Sequence, residues 1–305
     1  MKFGKVENIS NVNFSLPNEP TRNELLLKNL PKKKGKTKVY LGCTGWGMKE
    51  WIGTVYPKGA KPANYLHHYS RQFNTIEFNT THYRTPNEQT IQKWYAESAE
   101  DFKFCPKVLQ QISHTRDLGY GSGKIQEFCR AVSGLKEKLG CCFMQLPPYF
   151  GVDRLPILKL FFEKWPSEIP LAIEVRHESW FSHPDHFSKL VQLAENQNIA
   201  LVITDVSGRR DVLHLALTSA KTMIRFVGNG LHETDFTRLD KWVAQLKKWW
   251  ENGLSEIYFF PHEPDNILAP EATAYLFEKL QDFEGIDLRG PNLLNTNLGE
   301  QMSLF

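Results

Sequence analysis

Between residues 39 and 285, short apolar runs rich in β-formers alternate with stretches of helical periodicity, and the alternation repeats eight times. The runs are "VYLGCTGW", "TIEFNTTHY", "FKFCPKV", "CCFMQLP", "LAIEVRH", "ALVITDVSG", "TMIRFVGN" and "EIYFFPHE". Helical patterns such as "KIQEFCRAVSGLKEKL" and "TDFTRLDKWVAQLKKWWENG" fill the gaps, and only the gap after the sixth run is poor, holding "VLHLALTS". Strands joined by helices must run parallel, because a tight hairpin cannot connect them. Eight such units within about 250 residues predict an α/β chain folded as a (β/α)8 TIM-type barrel in one domain. An open doubly wound sheet is the competing architecture, but no G-x-G-x-x-G follows the first strand. Helix starts support the reading: Pro86 precedes "NEQT", and Pro184 and Asp185 follow His183.

The flanks lack this rhythm. Residues 1–38 read as a loosely ordered polar arm ending in "PKKKGKTK", with the lysines a solvated linker in preference to a nucleic-acid contact. Residues 286–305 read as a polar tail. A net charge of +3 is too small to argue for nucleic acid from bulk electrostatics. The cysteines at 43, 105, 129, 141 and 142 form no C-x-x-C pair and fit reduced thiols in a cytosolic protein. "MKFGKVENIS" has no apolar signal core, and no apolar run approaches the roughly 18 residues of a membrane span. The expectation is a cytoplasmic protein with no membrane partner.

Within the strands, charge and amide groups interrupt the apolar pattern at one end. "IEFN" puts Glu77 and Asn79 two residues apart, hence on one face, while Ile76 and Phe78 fill the other. Lys107 ends the third strand, and Gln145 the fourth. Glu174 and Arg176 share the fifth, Asp205 ends the sixth, and Arg225 lies on the seventh. Barrel active sites form at the C-terminal strand ends, and buried charge is costly unless paired or used. These residues are therefore expected to line a mouth. Each also has a structural reading, as a helix cap or half of an ion pair; Glu174 and Arg176 can simply pair with each other.

Such groups limit the chemistry. Arg176, Arg225 and Lys107 suit a phosphate or carboxylate. Glu77, Glu174 and Asp205, with Lys107, are candidates for acid and base work. The carboxylates alternatively suit Mg2+ or Mn2+, although the neighbouring cations would already neutralise them. His114 and His177 stand as rim or loop histidines. Trp46 and Trp51 fit either a flat apolar wall for a ring or core packing.

Taken together, "GCTGWGMKEWIGTVYP", "YSRQFNTIEFNTTHYRTP", "FKFCPKV" with "ISHT" beyond, "MQLPPYF", "AIEVRHESW" and "IRFVG" resemble the bacterial TIM-barrel family catalogued as domain of unknown function 72. The resemblance spans roughly residues 39 to 270. It implies the barrel and a polar pocket built from Glu77, Asn79, Tyr83, Lys107, His114, Gln145, Glu174, Arg176, His177 and Arg225; it implies no particular reaction. Two departures stand out. The family carries histidine and glycine soon after the seventh strand's arginine, whereas Val227 precedes Gly228 here. Its eighth strand ends in asparagines, where this chain reads "FFPHEPDN" and offers His262 as a replacement.

The last five residues, Gln301, Met302, Ser303, Leu304 and Phe305, resemble the peptide by which bacterial replication and repair proteins dock on the DNA sliding clamp. Leu304 and Phe305 suit an apolar pocket, and Gln301 a hydrogen bond beside it; the alternative is that they pack back on the barrel. Two function classes follow. One is an enzyme, a hydrolase among the options, acting on an anionic small molecule or a phosphodiester in nucleic acid. The other is a binding module without catalysis, recruited to the clamp.

Overall fold

The computed structural model describes residues 4, 6–31 and 35–294. The strands are β1 (Thr37–Leu41), β2 (Thr75–Phe78), β3 (Lys103–Pro106), β4 (Cys142–Gln145), β5 (Leu171–Glu174), β6 (Ala200–Asp205), β7 (Lys221–Val227), β8 (Glu256–His262) and β9 (Ile286–Leu288). Between them run α2 (Tyr65–Gln72), α3 (Glu88–Glu97), α4 (Gln110–Ser113), α5 (Lys124–Ser133), α6 (Leu155–Lys164), α7 (Pro184–Asn196), α8 (Glu233–Glu251) and α9 (Ala269–Leu280), with α1 (Arg22–Asn29) ahead of β1. The fold is α/β, with parallel strands and flanking helices in a TIM-barrel-like arrangement.

The strands pair in the order β4-β5-β6-β7-β8-β1-β9, and β2 pairs with β3. Every pairing is parallel. Single bridges join the two groups: Thr44 to Glu77 on one side, Phe104 to Leu139 and Lys107 to Phe143 on the other. The backbone follows the same path, with Glu77 N donating to Cys43 O and Val108 N to Phe143 O.

Residue alternation divides each strand between two cores. Tyr40, Cys105, Phe143, Ala172, Val202, Met223, Tyr258 and Phe260 pack together inside the sheet. The intervening residues, such as Ile203, Ile224, Ile257 and Phe259, face the helices. Burial on both faces leaves the strands nearly continuously apolar, as a parallel sheet requires. Helix starts behave as their sequences suggest: Asn87 caps α3, and His183 precedes Pro184 to cap α7.

The sixth crossover departs from the rule. After a short 3-10 turn at Arg210–Val212 the chain runs without helix to β7, so "VLHLALTS" forms no crossover helix. The seat is taken by α1. The Asn23 amide donates to Leu215 O (2.7 Å) and accepts from Leu217 N (2.9 Å) while fully buried. Arg22 pairs with Glu195 on α7, and Glu19 accepts from Trp249 on α8 at 2.7 Å. Leu27 joins the apolar cluster beneath. The segment expected to be a loose arm therefore docks where a helix is missing. Likewise β9, within the stretch read as tail, pairs with β1 from Thr37↔Ile286 to Val39↔Leu288. Short, locally polar sequences hid both, because their partners lie far along the chain. The peptide at 301–305 lies outside the described residues.

All five cysteines are buried and unpaired. Among the described residues, no helix is long and apolar enough to cross a membrane.

Candidate active site at the strand ends

The polar layer sits one alternation beyond the interior apolar layer. Lys107 lies two residues past Cys105, Gln145 past Phe143, Glu174 past Ala172, Arg225 past Met223 and His262 past Phe260. Period-two geometry thus brings side chains from separate strands to one level.

Arg225 is the hub. Its Nε donates to Glu77 Oε2 at 2.8 Å and its Nη2 to Glu77 Oε1 at 3.1 Å, a bidentate pair. Its Nη1 donates to Glu174 Oε2 at 2.7 Å. Glu174 also accepts from Arg176 Nε (2.6 Å) and Gln145 Nε2 (2.8 Å). Glu77 accepts from Asn79 Nδ2 (3.0 Å) and His262 Nε2 (2.9 Å), so that histidine carries a proton on Nε2. Beyond Gln145, whose Oε1 lies 3.3 Å from its Nζ, stands Lys107. The Phe143 ring forms the floor, 5.8 Å from the Lys107 nitrogen and 5.9 Å from the Arg225 guanidinium.

Electrostatics separates these groups by task. Burial alone would raise Glu174, but Arg176 and Arg225 outweigh it and hold the carboxyl at about 2. Glu77 is likewise held well below the carboxylate range against its burial, by Arg225 and His262. The two carboxylates return the favour, raising Arg225 although burial opposes its charge. Lys107 moves the other way: burial first and Arg225 second lower it to about 8, with Glu77 and Glu174 pulling against them. Three cations (Arg176, Arg225, Lys107) face two carboxylates (Glu77, Glu174), and only Lys107 makes no hydrogen bond to either carboxylate.

Glu77, Asn79, Lys107, Gln145, Glu174, Arg176 and Arg225 are thus brought together. Other predicted residues stand elsewhere. Tyr83 is 75% exposed at the rim, in edge contact with His82. The His114 ring lies 5.4 Å from that of His82, and its Nδ1 contacts Ser113 Oγ at 2.8 Å. His177 caps the 3-10 turn Glu178–Trp180, accepting from Ser179 N. Trp46, half-buried, stacks on Phe78 at 4.7 Å and edges Trp94 and Phe104, so its ring takes part in packing. Trp51 is fully buried.

Asp205 faces away from the network. It pairs with Arg238 of α8 at 2.8 Å and with Arg210, and accepts from Trp242 Nε1 at 2.8 Å. Its neighbour Thr204 has the inward parity, two past Val202, and its buried hydroxyl has no hydrogen-bond partner among the described residues. Placing Asp205 in the mouth misjudged the strand by one residue, which reverses the face.

Glu263, next to His262, escaped the sequence reading although "PHEP" follows the last strand directly. Its Oε2 accepts from Gly230 N at 2.7 Å, and its buried Oε1 has no hydrogen-bond partner among the described residues. Burial, then the Asp235 charge, push it up to about 7. A Cβ on Gly228 would stand 2.2 Å from this carboxylate, which explains the glycine after Val227. Among the described residues, no group of three or more His, Cys, Asp or Glu side chains is placed to share a metal ion.

Comparison with known proteins agrees with the fold. The UPF0759 protein YecE of Escherichia coli K12 is 28% identical over 261 residues, covering 80% of this chain and 93% of that protein. The crystal structure of a DUF72 family protein from Enterococcus faecalis V583 superposes with a TM-score of 0.64 at 19% identity, over 81% of this chain and 99% of that one. A second, from Thermotoga maritima MSB8, gives 0.60 at 22% identity, over 81% and 100%. The family described as Protein of unknown function DUF72 matches residues 40–294, nearly the whole span that carries the sheet and its polar layer, and the chain belongs to that family.

Proposed function

We propose that the eight strands β1 to β8 close as a (β/α)8 barrel whose C-terminal mouth is the active site of an enzyme for an anionic substrate. The bridges at Thr44–Glu77 and Lys107–Phe143 support closure, because they continue the pairing across both gaps. The observation that carries the functional reading is the uncompensated cation: Lys107 is half-buried beside two arginines, each of which already holds a carboxylate. A carboxylate or phosphate entering the mouth restores the balance, with Arg176 and Lys107 as its ligands. Arg225 acts as a positioning residue. Glu174 and Glu77 are ionised at neutral pH and are weak bases; Lys107, at about 8, has the affinity that general acid and base catalysis needs near neutral pH. Hydrolysis of a DNA phosphodiester is one narrower form of this reading, and Mg2+ or Mn2+ belongs among its variables.

Calorimetry with phosphate and small carboxylates, followed by a turnover panel of phosphorylated sugars, DNA and RNA with and without Mg2+ or Mn2+, tests it. Anion binding is expected to weaken as pH rises through about 8, where Lys107 loses its charge. Lys107→Met is expected to lower affinity by about 10-fold or more, from one lost charge-assisted hydrogen bond. Unchanged affinity and turnover in a folded Lys107→Met protein would reject the reading. The second reading, a clamp-recruited module, is favoured only by the sequence of residues 301–305; binding without product, lost from a clamp pull-down on deleting those five residues, would establish it.

A further inference from the structure

We propose that Lys107 forms a covalent imine with the carbonyl carbon of a keto or aldehyde substrate that also bears a carboxylate or phosphate. The inference rests on the anionic-substrate reading and names the reaction class that the same mouth would run.

Three observations carry it. First, the Lys107 ammonium makes one hydrogen bond among the described residues, to the neutral Gln145 Oε1 at 3.3 Å, which is long for a charged donor. Second, its backbone is fixed: Lys107 N donates to Phe78 O at 2.9 Å, and Thr81 Oγ1 donates to Lys107 O at 2.7 Å. The nitrogen is therefore delivered from a rigid strand end, over the Phe143 ring. Third, two guanidinium groups share the site, so an anionic group held by Arg176 would leave the rest of a small substrate beside the amine. An amine kept beside other cations and away from water is activated as a nucleophile, and the lowered affinity of Lys107 for its proton agrees with this.

The step balances without an oxidant or reductant. The unprotonated Nζ attacks the carbonyl carbon, and the C=O π pair moves to oxygen, which takes a proton. The carbinolamine then loses that oxygen as water while the nitrogen lone pair closes the C=N bond. Counted from the ammonium and a ketone, the products are one iminium and one water. Over the two stages nitrogen gives up two protons and oxygen takes two, so the exchange closes without an outside acid. The iminium is an electron sink for breaking a C–C or C–H bond at the adjoining carbon.

The test treats the full chain with pyruvate or dihydroxyacetone phosphate, then with sodium borohydride, and reads intact mass and a peptide map. One reduced adduct on Lys107 is expected, dependent on borohydride and absent with lactate or glycerol 3-phosphate, which lack the carbonyl. Lys107→Arg, with wild-type circular dichroism, is expected to lose the adduct yet still bind lactate or glycerol 3-phosphate by calorimetry. Binding of the carbonyl probes without an adduct, or labelling spread equally over surface lysines, would overturn the imine and leave the anionic site standing. No binding and no adduct would overturn both. Should Lys107→Arg not fold, the peptide map of the wild-type protein decides alone.

Discussion

Arg225 holds Glu77 through two hydrogen bonds, of 2.8 and 3.1 Å, at a place where Glu77 has no solvent exposure. The same guanidinium reaches Glu174, so one cation satisfies two buried carboxylates. Arg225→Met removes it from both and is expected to destabilise the fold by about 3–5 kcal/mol, the range for stranding buried charge. Urea denaturation at neutral pH measures this. A loss below about 0.5 kcal/mol, typical of exposed pairs, would mean that water already reaches both carboxylates.

Acid should undo the same network. Glu174 is held at about 2 in the folded protein, against an ordinary 4.5, and Glu77 is lowered as well. The unfolded chain then binds protons more readily, so stability is complete above the ordinary value and is lost as pH falls from about 4.5 toward 2. Glu174→Gln should flatten part of that decline. Unfolding free energies at pH 7, 5, 4 and 3 for both proteins provide the comparison, and parallel curves would contradict the assignment.

Glu263 carries the opposite sign. Its folded-state value is raised to about 7, so the folded protein holds the proton more tightly and stability declines as pH climbs from the ordinary 4.5 through about 7. The facing groups are Asp235 and Arg238 of α8 and the Gly230 and Leu231 amides. Glu263→Gln keeps an acceptor for Gly230 and removes the repulsion with Asp235. It should therefore be more stable than wild type at pH 8 and closely matched at pH 5, as thermal unfolding in the two buffers would reveal.

Asp205→Ala separates structure from site. It strips a carboxylate from the buried Arg238 and the indole of Trp242, with an expected cost of about 3 kcal/mol. Anion affinity per folded molecule should stay within about 2-fold, because the side chain faces α8 and adds no charge to the mouth; this compares with the 10-fold of one lost charged hydrogen bond. A larger affinity change, measured by calorimetry, would return Asp205 to the site.

Polar pairs on a strand were legible because charge is conspicuous among apolar neighbours. Glu77 with Asn79 and Glu174 with Arg176 each declared a face, and the structure places both pairs on the same network. Parity failed at "ALVITD", whose burial on both faces gives no alternation to count from. Trp46 was ambiguous for a related reason, since an aromatic ring suits a wall or a core, and its stacking on Phe78 depends on a partner 32 positions away. The seat of α1 was invisible: nothing in "RNELLLKN" announces a partner at Leu215.

That seat dictates an order of assembly. Asn23 and Leu215 are 192 positions apart, and Glu19 and Trp249 are 230 apart. Helix α1 is made long before these partners, and it must wait for them before Leu27 finds its apolar neighbours. Its docking is a contact of very long range, which slows folding and leaves a vulnerable waiting period. Helix α1 is therefore a clasp, fastened only after the sheet and helices it grips have been drawn together.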